Sequence, residues 1–209
     1  GERRITEQEL DWLAGYQGSR PVRVGNAAVN QFQLDVYGEV MDTLHLGRHI
    51  GLESDGPTWA LQRALLNYLE SEWQEPDEGI WEIRGPRRQF THSKVMAWVA
   101  LDRAIKAVEV TGFDGPVDRW RGLRRELHDE VCREGYDSER DSFVQYYGAD
   151  RLDASLLQIP LVGFLPSDDP RVKGTVAAIQ RELMVDGLVH RYPPEGSQSV
   201  DGLPPGEGT

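Results

Sequence analysis

The residues whose types and spacing could do chemistry lie in one stretch, Pro76-Asp77-Glu78-Gly79-Ile80-Trp81-Glu82-Ile83-Arg84-Gly85-Pro86-Arg87-Arg88-Gln89-Phe90-Thr91-His92-Ser93-Lys94. Glu82 follows Trp81 directly, with Ile80 and Ile83 close by. Apolar surroundings disfavour a charged carboxylate, so a glutamic acid placed there can stay protonated near neutral pH and act as a proton donor. An indole beside it offers a flat apolar wall of the kind on which sugar rings lie. Arg84, Arg87 and Arg88 pull the other way, because a nearby positive charge lowers a carboxyl pKa. A plainer part is open to the same residues: Trp81 plugging the end of a helical core while Glu82 faces water.

The elements around this stretch must position it. Prolines at 76 and 86 and glycines at 79 and 85 make it an ordered loop rather than a helix. Residues 1–25 read as loop-rich, with Trp12 and Tyr16 as anchors. From Asn26, the spacing of Val29, Phe32, Val36, Val40 and Leu44 predicts one face of a helix that ends at Gly51. Pro57 opens a second helix, with Trp59, Leu66, Leu69 and Trp73 as its apolar positions. Thr91 is an N-cap for a third, along which Val95, Trp98, Leu101, Ile105 and Val108 recur before Gly112. The fourth follows Pro116, with Trp120, Leu123, Leu127 and Val131 inward. Its Arg121, Arg124, Arg125, Glu126, Asp129, Glu130 and Glu134 form a solvated outer face.

Residues 136–152 are irregular, with an extended candidate at 143–147. A fifth helix is expected over about 153–163 and a sixth over about 170–186. Leu188 to Tyr192 could be extended, and 193–209 reads as a flexible loop or tail. The fold class is all-α: three helical hairpins in two concentric layers.

The 209 residues are 39% hydrophobic, enough for one domain with a sizeable core. A formal charge of −12 disfavours nucleic acid and anionic membrane surfaces as partners, and leaves neutral ligands such as sugars. Cys132 is alone, which suits a reducing, cytoplasmic setting. No apolar run approaches the roughly 20 residues of a membrane span, and no signal peptide is visible at Gly1-Glu2-Arg3-Arg4. The missing initial methionine points to a piece of a longer protein. His45 and His49 have the spacing of metal ligands, but Leu46 and Gly47 follow where a zincin motif needs glutamate first.

The run from Pro76 to Lys94 resembles the general-acid loop of glycoside hydrolase family 15, the glucoamylases and bacterial-type trehalases. Trp12-Leu13-Ala14-Gly15-Tyr16-Gln17-Gly18-Ser19-Arg20-Pro21-Val22-Arg23-Val24-Gly25-Asn26 and Asp153-Ala154-Ser155-Leu156-Leu157 through Phe164 resemble the same family. The resemblance implies that the chain is the central part of an (α/α)6 barrel, one incomplete domain of a larger catalytic domain. It implies inverting hydrolysis of α-glucosidic bonds, in trehalose or at glucooligosaccharide ends, with no cofactor and no metal. Glu82 is then the general acid. Trp81, Ile80, Arg191 and Arg20 contact substrate. Gly18 and Ser19 stand where fungal glucoamylases carry a tryptophan, which argues for a different leaving group. No stretch resembles the loop of the family's base. The 209 residues by themselves should therefore be silent, with Trp98 and the apolar face of 153–163 poorly covered. Two readings stay open beside this one: a non-catalytic helical interaction module, and another carbohydrate-active enzyme on the same ring.

Overall fold

A computed structural model describes residues 6–52, 55–83 and 85–193, and divides the chain into two compact units, Gly1–Phe32 and Gln33–Thr209. The predicted tail lies outside the described residues except for Pro193.

In the first unit a two-residue antiparallel ribbon pairs β1 (Gln8–Glu9) with β2 (Arg23–Val24). The Arg23 guanidinium reaches Glu7 at 3.4 Å and Glu9 at 3.1 Å and ties the ribbon. A short 3₁₀ turn at Tyr16–Gly18 lies between the two strands and another at Ala27–Asn30 follows them, the second capped by the Asn26 side chain accepting from Ala28 N–H. Trp12 and Tyr16 are not anchors: both are about four-fifths exposed, at 80% and 86%.

The second unit is helical. Helix α1 runs Asp35–His49, α2 Gly56–Glu72, α3 Thr91–Thr111 and α4 Val117–Glu134. A 3₁₀ turn at Ala154–Leu157 leads into the one-turn α5 (Gln158–Leu161), and α6 spans Pro170–Glu182. Two more ribbons intervene, β3 (Tyr136–Asp137) with β4 (Ser142–Phe143) and β5 (Met184–Val185) with β6 (Leu188–Val189).

Helix α3 is the axis of this unit. It packs α1 on one side and α4 on another, and also meets α2 and the 154–161 segment. It is buried on every side from Thr91 to Ile105, as a helix apolar almost all round must be. Gly112, at φ +73°, closes it in the left-handed conformation. Trp98 is covered after all: it stands edge-on to Phe164 at 5.2 Å and the Arg124 guanidinium lies 6.0 Å over its ring. Leu156 and Ile159 are likewise buried, whereas Leu161 is exposed.

Helix α1 departs from the predicted pattern in start and in face. The chain stays extended from Gln31, and the helix begins at Asp35 rather than Asn26. Its buried residues are Asp35, Gly38 and Met41, while Val36 points outward. The physical reason is Gly38. A Cβ there would lie 2.2 Å from the Met96 carbonyl oxygen, so α1 and α3 approach more closely than a larger face would allow. Thr91 is the first residue of α3 and not its cap. The expected fifth helix is shortened because Asp153 caps a 3₁₀ turn and Gly163 ends the segment at φ +77°. Arg124 leaves the outer face of α4 and donates to Asp102 at 2.7 Å.

Asp102 also receives Arg103 at 2.6 Å and Lys106 at 2.8 Å. Burial opposes its charge, but the Lys106 and Arg103 hydrogen bonds outweigh it and hold its carboxyl below the ordinary value. Arg103 reaches on to Asp42 of α1 at 2.7 Å and the Val162 carbonyl at 2.8 Å, so one guanidinium joins three segments.

His92, in the first turn of α3, is buried, and neither ring nitrogen has a hydrogen-bond partner among the described residues. Burial lowers its pKa from 6.5 to about 4. The unfolded chain therefore binds the proton more readily, and stability falls as pH drops from 6.5 towards 4. At about pH 4 the loss from this residue is about 3 kcal/mol. Asp35, whose carboxyl burial raises to about 7, acts with the opposite sign between its ordinary value and neutrality. Comparing the chain with His92→Leu by urea unfolding at pH 7 and pH 4 isolates the histidine, and the variant should lose much less stability on acidification.

Candidate active site

The loop between α2 and α3 is fastened at its root. Asp77 and Arg88 exchange both backbone hydrogen bonds at 2.9 Å. The buried Lys94 of α3 donates to the Trp73 carbonyl at the end of α2, and at 3.4 Å to that of Glu75. Inside the loop, Gly79 adopts φ +69° and Glu82 N–H returns to the Gly79 carbonyl at 3.2 Å, which makes a tight turn. Only glycine serves at 79, since a Cβ would meet the Phe90 ring at 2.9 Å as well as the unfavourable φ. The turn buries Ile83 in the core, half-buries Ile80 and Trp81, and leaves Glu82 exposed. Glu82 itself stands at φ +53°, a left-handed conformation that a side chain adopts only where its surroundings impose it.

Trp81 is held from behind. Its Nε1–H lies 3.0 Å from both carboxylate oxygens of Asp153. Asp153 is buried and also accepts from Gln145 Nε2 at 2.9 Å and Ser155 N–H at 2.8 Å. Burial pushes its carboxyl above the ordinary range, and the Ser155, Trp81 and Gln145 donors work against that push. The backbone of Gln145 accepts from Thr91 N–H at 3.0 Å, so the residue that steadies Asp153 also fixes the start of α3.

Arg191 lies over the indole ring, its guanidinium carbon 5.4 Å from the ring centroid, in a cation–π geometry. It is carried at the exit of the β5–β6 ribbon, where His190 N–H bonds the Leu183 carbonyl at 2.9 Å. Ala154 N–H donates to the Arg191 carbonyl at 2.8 Å. Of the residues singled out from the sequence, Arg191 thus lies over the Trp81 ring, and Ile80 and Glu82 are the chain neighbours of Trp81. Arg20 belongs to the first unit, where it donates to the Asp11 carbonyl at 3.1 Å.

Glu82 is exposed rather than set in the apolar surroundings expected from its flanks, and two of the three nearby arginines make contacts of their own. Arg87 pairs with Glu78 at 3.0 Å, and Arg88 lies 5.2 Å over the Tyr146 ring. Arg84 is outside the described residues. Sequence reasoning missed Asp153 and Gln145. An aspartate before a helical segment reads as a cap, which Asp153 also is, and nothing in the chain advertises its second task.

The model of the glycosyl hydrolases family 15 matches residues 1–205. The chain belongs to that family. Along its whole length it is 44% identical to the "Trehalase" of Mycolicibacterium smegmatis, of which it covers 31%. It is 41% identical over 206 residues to the "Trehalase" of Thermoplasma acidophilum, covering 98% of this chain and 34% of that protein. The chain thus spans about a third of the length of these curated relatives. A solved wild-type glycosidase is 23% identical with a TM-score of 0.69, over 86% of this chain and 49% of that one. A glycosidase solved in complex with glucose gives the same values. These likenesses show the fold: the family 15 chain is mostly helical and fits part of a six-hairpin toroid. Among the described residues, no helix is long and apolar enough to cross a membrane.

Proposed function

We propose that the protein carrying this chain hydrolyses trehalose with inversion, and that Glu82 is its general acid. The observation that carries the assignment is the indole of Trp81, fixed by Asp153 on its Nε1–H and overlaid by Arg191, with exposed Glu82 as its chain neighbour. A carboxylic acid, a flat apolar ring and a forked cation are the parts a neutral sugar needs for protonation, stacking and hydroxyl binding. The name trehalase carried by the relatives supports trehalose, rather than malto- or isomaltooligosaccharides, as the substrate in this reading.

In the proposed reaction the Glu82 proton passes to the glycosidic oxygen as the bond to the anomeric carbon breaks. A second carboxylate takes a proton from water, whose oxygen bonds to that carbon from the opposite face; the two carboxyls stand about 6.5–9.5 Å apart. We place that base outside these 209 residues, since no stretch here resembles its loop. The chain is in this reading an incomplete piece of one catalytic domain, silent when alone. Trp81 forms the wall of the sugar site and Ile80 offers backbone contacts. Arg191 binds hydroxyls, and Arg20 is assigned to substrate on its sequence motif. A protein of the relatives' full length carrying these residues, assayed on trehalose, maltose and isomaltose, should prefer trehalose. Preference for either other sugar would overturn the substrate assignment.

A further inference from the structure

Asp77 is a buried carboxylate that the proposed chemistry does not use. It sits at the base of the loop bearing Glu82, and three segments converge on it. Its Oδ2 accepts from Leu34 N–H at 3.0 Å, at the N-terminus of α1, and from Ser93 Oγ at 2.7 Å, in the first turn of α3. Its carboxylate also accepts from Gly79 N–H, the residue that starts the turn into Trp81 and Glu82. Its own backbone closes the loop against Arg88. A further strut runs from the extended segment just before α1, where Gln33 Nε2 donates to the Gly79 carbonyl at 3.4 Å. A second buried carboxyl, Asp35, stands close enough to feel the charge of Asp77, and its Oδ1 has no hydrogen-bond partner. Two carboxyls in one dry pocket do not both ionise readily. Burial raises both carboxyls above the ordinary value, and at Asp77 the hydrogen bonds from Leu34, Ser93 and Gly79 work against that rise, so Asp77 is the member that collects the donors.

We propose that Asp77 is a positioning residue for the general acid, clamping the acid loop to the first turns of α1 and α3 so that Glu82 meets the leaving oxygen. The proposal rests on the reading of Glu82 as the acid. A buried carboxylate clamped by backbone N–H groups holds a turn more rigidly than apolar contacts, because each donor fixes a direction as well as a distance. The residue acts through Gly79 and touches no substrate.

The test separates positioning from mere folding by the leaving group. Glucose leaving from trehalose needs a proton; fluoride leaving from α-glucosyl fluoride needs little help. In the full-length protein, Asp77→Asn should lower turnover of trehalose at least about tenfold, the scale of a misplaced catalytic group. Turnover of the fluoride should stay within about threefold of wild type. Ser93→Ala, which removes one donor and leaves the backbone ones, should show the same selectivity to a smaller degree and decides the matter if Asp77→Asn does not fold. Equal losses on both substrates, or no loss on either, would overturn the proposal. Glu82→Gln run alongside distinguishes the two levels. If it loses both substrates equally, the acid assignment itself fails; if it is selective and the Asp77 and Ser93 variants are not, only the clamp fails.

Discussion

Glu82→Gln, in a protein of the relatives' full length, is expected to keep the fold and to lower trehalose turnover by at least about 10²-fold, the usual scale for losing general acid catalysis. The amide has nearly the shape of the carboxyl and no proton to give to the leaving oxygen. The fold should survive because Glu82 is exposed, while the turn that carries it is made by Gly79, Ile83 and the Asp77–Arg88 pairing. KM should change far less than kcat, since proton transfer belongs to the transition state. Near-normal turnover would remove Glu82 from the reaction.

The second large effect is expected at Asp153. Asp153→Ala strips the partner from Trp81 Nε1–H, Gln145 Nε2–H and Ser155 N–H at once. Buried donors left unpaired cost about 1–3 kcal/mol each, and removing the carboxylate's own burial cost offsets part of that, so a net loss of about 3 kcal/mol is expected. Freed from Asp153, the indole has no reason to stay under Arg191, and kcat/KM for trehalose should fall with it. Urea unfolding reads the first effect and near-ultraviolet circular dichroism of the tryptophan reads the second. An unchanged Trp81 signal with full activity would show that the indole is held by something other than this carboxylate.

The helices from 56, 91, 117 and 170 were legible because their apolar spacing and their Pro and Gly boundaries agree with where they pack. Helix α1 was less legible because its contact with α3 depends on a glycine, which hydrophobic spacing does not count; Val36 and Val40 suggested another face. Trp12 and Tyr16 show the converse, large aromatic rings whose type suggested anchors and that are exposed. In the proposed site, motifs singled out Glu82, Trp81 and Arg191, and of these the contact of Arg191 with the Trp81 ring is seen in the fold. Asp153, Gln145 and Asp77 could not. Each acts through contacts distant in sequence, such as Trp81 with Asp153 or Leu34 with Asp77, and a single chain carries no periodic signal of such a contact.

The most direct measurement follows the anomers of glucose by proton NMR as the full-length protein cleaves trehalose, at times short against mutarotation. Inverting hydrolysis predicts one β-glucose from the attacked ring for each α-glucose released as leaving group. Release of α-glucose alone would mean retention, and no release at all would mean a different substrate; either result would contradict the account.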